Sequence, residues 1–249
     1  MFVAASTRCF ADLPLEEALV RLVDLEYTTV EITVHESGGH LKPSEVMQDL
    51  DRAVQICRQT QRLTPTAYSV DIEAPGEDYY KQFAACCRLA KATKVVTISI
   101  RASELGTPFN AEIERLRRMV DIATLEGVVV GLVTEVGRMT EDPDTAVVLC
   151  DNVKRLRLTL DPSHYVYGPR HGVDYDHVLK YVCHVRLRDT NKDHLQVRVG
   201  QGEVEYGHLV RQLGRYRYDR ALCVDIAPLA DVDQNAEMRK MRLLLESLL

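Results

Sequence analysis

The sequence predicts an α/β fold in which eight parallel strands close into one (β/α)8 barrel, and three observations predict it. Short β-branched runs alternate with longer stretches whose apolar residues recur every three and four positions, the pattern of successive βα units. Eight such units fit in 249 residues, a common length for a barrel built as one domain. No G-x-G-x-x-G follows the first strand and no linker divides the chain, which disfavours an open doubly wound sheet and leads us to expect one domain over residues 1–249.

The predicted strands are Phe2–Ser6, Thr29–Val34, Leu63–Val70, Lys94–Ile100, Val128–Glu135, Leu156–Leu160, Val182–Leu187 and Ala221–Ile226. Between them run helical stripes: Leu15, Leu19, Leu22 and Val23; then Phe83, Cys87 and Ala90; then Ile113, Leu116, Val120 and Ala123. Met238, Met241, Leu245 and Leu248 close the chain. A helix on the outside of a barrel must bury one face against the sheet, so these stripes are core. Pro14, Pro43 and Pro143 mark first turns, with Asp12, Ser44 and Asp142 near the expected caps.

Composition narrows the function. A formal charge of −6 opposes a protein whose main partner is a phosphate backbone. No apolar run approaches the roughly 20 residues needed to span a bilayer, and Met1–Phe10 lacks the pattern of a signal peptide, so a cytoplasmic protein without membrane or nucleic-acid partners is expected. The seven cysteines are scattered without C-x-x-C spacing and read as small buried hydrophobes.

Chemistry in such a barrel collects where strands end and βα loops begin. Those places carry Arg8, His35, Glu36, Asp71, Arg101, Glu135, Asp161, His164, the stretch His184–Asp189, and Asp225. Glu135 ends the apolar run "VVVGLVTE", Asp161 ends "RLRLTLD", and Asp225 ends "ALCVD". In "LDPSHY", Pro162 favours a turn that brings His164 beside Asp161. Three carboxylates converging on one mouth repel one another and need a cation or arginines. His35, Gly38, Gly39 and His40 in "HESGGH" read as a mobile loop, and Gly200–Glu203 as a turn leading into a helix near Tyr206.

The segments "GVVVGLVTE", "LRLTLDPSHYVYG", "VCHVRLRD", "VRVGQGEVEYGHLV" and "ALCVDIAP" resemble, in order and spacing, the second half of the xylose-isomerase-like sugar phosphate isomerase/epimerase and apurinic-endonuclease superfamily. That resemblance implies a divalent metal, Mn, Mg, Co or Zn, held after strands five to eight, and a substrate-binding histidine. The places map onto Glu135, Asp161, Arg186 and Asp225, with His164 as the histidine and His184 as an alternative ligand. Where the family reads H-V-H-L-K-D, this chain reads His184, Val185, Arg186, Leu187, Arg188, Asp189. A guanidinium stays protonated and offers no lone pair, so Arg186 opposes the metal that the resemblance implies.

The expectation is therefore an isomerase or epimerase acting on a sugar, polyol or keto-acid, with Glu135 and Asp225 as acid and base and Arg186, Arg188, Arg8 and Arg101 contacting substrate. Arg186 is expected to pair with Glu135, Asp161, Asp225 or a bound anion. The alternatives are a barrel that has lost turnover and binds a small anionic metabolite through its arginines and, last, an abasic-site endonuclease. Homo-oligomerisation stays open.

Overall fold

The computed structural model describes residues 1–249. Its strands are β1 (Phe2–Ser6), β2 (Thr29–His35), β3 (Thr64–Asp71), β4 (Thr97–Arg101), β5 (Val129–Val133), β6 (Arg157–Leu160), β7 (Val182–Leu187) and β8 (Ala221–Val224). All pairings are parallel and follow chain order, and β8 returns to β1 with Phe2 opposite Ala221, closing the barrel that the alternation predicted.

Around it lie α1 (Leu15–Asp24), α2 (Pro43–Gln48), α3 (Leu50–Arg58), α4 (Gly76–Ala92), α5 (Phe109–Leu125), α6 (Pro143–Asn152), α7 (Ser163–Val166), α8 (Tyr206–Arg215) and α9 (Gln234–Glu246). Their inward stripes, Leu19 and Leu22, Phe83 and Cys87, Leu116 and Ala123, Met238 and Met241, are buried in one continuous apolar core. Val23 instead faces solvent, one turn position beyond the buried stripe. Prolines open α2 and α6 as expected, but Ser44 is not a cap: its hydroxyl donates to Glu36 at 2.6 Å. Asp12 precedes the cap position of α1, which Pro14 fills. Asp233 caps α9, accepting from the backbone N–H groups of Asn235 and Ala236.

One connection departs from the eight-unit pattern. Between β6 and β7 only the four-residue α7 and two 3-10 turns form, because Pro162, Gly168, Pro169 and Gly172 interrupt any longer helix. This leaves His164 in the first turn after β6, directly over the barrel.

The barrel interior is polar, with Glu31 and Thr33 on β2, Ser69 on β3, Ser99 on β4, Thr159 on β6, and His184 and Arg186 on β7 all buried. Alternation places the apolar partners of these residues against the helices. Gly131 of β5 is required here: a Cβ would strike Thr159 Oγ1, which shares a 2.7 Å hydrogen bond with Ser99 Oγ. Ala4, Ala221 and Cys223 form a small apolar cluster of their own, with Cys223 level with Arg186. All seven cysteines are free and buried, as expected. No helix is long and apolar enough to cross a membrane.

Candidate active site at the barrel mouth

The C-terminal ends of the strands surround a cavity of about 290 Å³. His35, Asp71 and Arg101 are the last residues of β2, β3 and β4; Glu135 lies two residues past β5; Asp161 and Asp225 directly follow β6 and β8. Arg8 reaches in from the 3-10 helix Thr7–Phe10, and Arg186 and Arg188 share the inward face of β7 and its extension. Asp225 is buried behind Arg8 and Arg188, which hold it.

Each of the three converging carboxylates is held by a guanidinium. Arg101 donates to Glu135 through Nε at 2.9 Å and Nη2 at 2.5 Å, and reaches Asp71 at 3.5 Å. Arg188 Nη2 donates to Asp161 at 2.6 Å and to Asp225 at 3.3 Å. Arg8 grips Asp225 through Nε at 2.9 Å and through Nη2.

Arg186 corrects the expectation made for it. It points inward, but its partner is Glu31, reached through Nε and Nη2 at 3.1 to 3.2 Å, and not Glu135, Asp161 or Asp225. Arg186 pairs in register with Cys223, two residues short of Asp225, so its head meets the deeper layer while Arg188 takes the mouth. Glu31 is not among the strand-end residues that the sequence singles out, since it lies in the middle of β2. Its signal was present in the alternation of β2, where Glu31, Thr33 and His35 share one face.

These pairs set the charges. Burial alone would raise Asp161, yet Arg188, His164 and the Ser163 hydroxyl hold it below the ordinary carboxylate range. Burial likewise opposes ionisation of Asp225, and Arg8 and Arg188 overcome it by a wide margin. Glu31 is lowered to about 2, burial being outweighed by Arg186 and His184. Glu135 is also lowered against its burial, by the hydrogen bond from Arg101.

The two mouth histidines are neutral bases by environment. Burial depresses His164, and its Nδ1 accepts the Val136 N–H at 3.2 Å, which leaves the proton on Nε2. His35 is lowered to about 4 by burial and by Arg186, and its Nε2 lies 2.7 Å from Ser69 Oγ. The sequence placed His35 in a mobile loop, whereas it ends β2 and lines the cavity. His40 binds Thr33 Oγ1 at 2.9 Å and lies outside the cavity lining.

The segment between β7 and α8 is shaped by Asp189. Its Oδ2 accepts the N–H groups of Gly200 at 2.7 Å and Gly202 at 3.0 Å. A Cβ at Gly202 would collide with that carboxylate, so the glycine is required for the close approach. Leu195, carried by this segment, forms part of the cavity wall.

The divalent metal implied by the resemblance does not fit this donor set as arranged. Glu135, Asp161 and Asp225 present oxygens already taken by guanidinium donors, and the seventh strand offers Arg188 between two of them. A dication would have to displace positive charge that cannot be deprotonated. His184, the alternative ligand, lies below the mouth, where its Nε2 is 2.9 Å from Glu31 Oε2 but not aligned for a hydrogen bond. Glu31, His184 and Cys223 do bring donor atoms within 4.8 Å of one another. Arg186 occupies both oxygens of that carboxylate, so this trio too is charge-compensated without a metal.

A closed parallel barrel with titratable groups gathered at its C-terminal mouth defines the class. The chain belongs to the xylose isomerase-like TIM barrel family, whose sequence profile matches residues 19–243. Among solved structures it is similar to an L-ribulose 3-epimerase, at 14% identity and TM-score 0.75 over 100% of this chain and 96% of that one. A 3-keto-D-glucoside 4-epimerase from E. coli matches at 13% identity and TM-score 0.75, covering 99% of both chains. A xylose isomerase-like barrel from Mycobacterium smegmatis in complex with magnesium matches at 16% identity and TM-score 0.76, over 99% and 97%. At these identities the likeness is one of fold. No curated protein matches the sequence.

Proposed function

We propose that the mouth catalyses isomerisation or epimerisation of a small carbohydrate-like molecule by proton transfer beside a carbonyl, with arginines supplying the positive charge. The observation that carries this reading is the unequal grip on the carboxylates. The Arg188–Asp161 pair is buried, with side chains 9% and 1% exposed, whereas Arg101 and Glu135 are 42% and 19% exposed. A buried pair costs several kcal/mol to break, an exposed one about 1 kcal/mol. Glu135 is therefore the carboxylate free to exchange partners and take a proton, while Asp161 and Asp225 remain ionised.

Glu135 is assigned as the base that removes a proton from the carbon next to a carbonyl. The oxygen that gains negative charge accepts N–H groups from Arg188, a fixed donor in a site largely shielded from water. The proton on Nε2 of neutral His164 is available to the same oxygen. Asp225, expected as the partner acid–base group, is better suited to orienting Arg8 and Arg188 as their counter-ion. The similarity to epimerases supports the reaction class through the fold, and the net charge of −6 disfavours abasic-site cleavage.

A second reading is a binding barrel without turnover, favoured by the lowered pKa of all three carboxylates, which stabilises them as anions and makes each a weaker base. Incubation of ketoses, aldoses and keto-acids in deuterated water, followed by proton NMR, separates the two. Exchange of a carbon-bound proton that depends on Glu135 supports catalysis; no exchange for any bound ligand supports the binding barrel.

A further inference from the structure

The ion pairs at the mouth leave one edge of each guanidinium unused. Arg8 and Arg186 both spend Nε and Nη2, on Asp225 and Glu31, and Arg188 spends Nη2 on Asp161 and Asp225. In all three, Nη1 donates to no protein atom, and Nε of Arg188 is buried without any partner. All three arginines line the cavity, and the side chains of Arg186 and Arg188 are only 7% and 9% exposed. The buried Nε of Arg188 needs an acceptor, whereas Arg8, at 39% exposure, meets solvent at the edge of the cavity.

We infer that the substrate carries a carboxylate, as a keto acid or sugar acid does, and that the open edges of Arg8, Arg186 and Arg188 receive it. Three guanidinium groups are matched by Glu31, Asp161 and Asp225, none of which takes an Nη1. The cluster is thus neutral as a whole while it presents N–H groups to the cavity. A monoanion adds one charge, directly against those donors. A phosphate dianion adds two with no further cation to balance them, which burial penalises more steeply. Planar carboxylate also matches the planar guanidinium edge.

Arg8 and Arg186 come from β1 and β7 and Glu135 from β5, with Arg188 between Asp161 and Asp225, so the acid group sits towards Arg8 and Arg186 and the adjoining carbonyl oxygen shares Arg188 with it. The inference rests on the proton-transfer reading only in placing the reacting carbon beside Glu135.

Calorimetric titration of the full chain with matched pairs tests it: 2-keto-D-gluconate against D-fructose, D-gluconate against D-glucitol, and inorganic phosphate alone. The acids should bind about tenfold or more tighter than their neutral partners, and tighter than phosphate. Arg8→Gln should remove most of that preference. If it does not fold by circular dichroism, the charge-balanced double variant Glu31→Gln/Arg186→Met should do the same. Equal binding of acid and neutral partner, failure of every acid to bind, tighter binding of phosphate, or a preference surviving in the variants overturns the carboxylate. Proton exchange on neutral ketoses without acid preference would discard the carboxylate and keep the proton transfer. Acid binding without exchange on any substrate would do the reverse.

Discussion

Arg186 on β7 and Glu31 on β2 form a bidentate ion pair inside the barrel, with Nε and Nη2 at 3.1 to 3.2 Å from the carboxylate oxygens. Neither side chain has water to fall back on, at 7% and 1% exposure. Removing one partner leaves a buried charge alone. Glu31→Gln or Arg186→Met should each cost about 3 to 5 kcal/mol of unfolding free energy. The double variant should recover most of it. Urea unfolding of the three proteins measures the coupling, and additive losses would show that the pair is not the reason for the cost.

Acid should unfold the protein in two windows. His35 is lowered from 6.5 to about 4, so the unfolded chain takes up its proton first and stability falls as pH drops from 6.5 towards 4. Glu31 is lowered from 4.5 to about 2; its contribution is complete above 4.5 and is lost as pH falls towards 2. The second window amounts to about 3 kcal/mol. Thermal melts across pH should show His35→Gln reducing the loss in the upper window, which His164 shares, and the Glu31→Gln/Arg186→Met double variant reducing that in the lower, which Asp161, Asp225 and Glu135 share. A profile unchanged in either variant contradicts the corresponding assignment.

Strand parity and the turn after Pro162 were legible in the sequence. They place Glu135, Asp161, Asp225, His164 and four arginines at one mouth, as expected. Which arginine meets which carboxylate was not legible. That depends on the stagger of the strands, and the ladder slips between Val30 and Glu31 and again between Leu158 and Thr159. One slip of register exchanges the layers seen by a side chain. The assignment of Arg186 therefore failed by one layer although its inward direction was right, and Glu31 escaped notice four residues before the end of β2.

The wild-type protein should bind Mn and Zn weakly. Arg188→His removes the guanidinium between Asp161 and Asp225 and puts an imidazole in its place. That variant should gain at least about tenfold in metal affinity, since two carboxylates and a histidine form an ordinary three-ligand set. Competition against a chromogenic chelator measures both proteins. Tight binding by the wild type, or no gain in the variant, rules out the view that arginine holds the metal's place.

Glu135→Gln should abolish solvent exchange at carbon while leaving the melting temperature nearly unchanged, because the pair it loses is partly exposed. Asp161→Asn should instead destabilise by about 3 to 5 kcal/mol, its partner Arg188 being buried. Exchange activity retained in Glu135→Gln would remove it as the base.

Gly202→Ala should loosen the segment between β7 and α8, since the added methyl meets the Asp189 carboxylate that accepts the Gly200 and Gly202 N–H groups. Hydrogen exchange should rise in residues 190–203 while the strands stay protected. Uniform protection across that segment would show that the contact is accommodated.

The pair between Glu31 and Arg186 joins positions 155 residues apart. A chain leaving the ribosome presents Glu31 long before its counter-charge has been made. Until β7 arrives, the growing first half holds a carboxylate that cannot be dried, and it must stay open or hydrated at its centre. Assembly then waits on a long-range closure, which is intrinsically slow. The first four strands alone are accordingly a poor building block, because folded by themselves they would enclose Glu31 without its counter-charge.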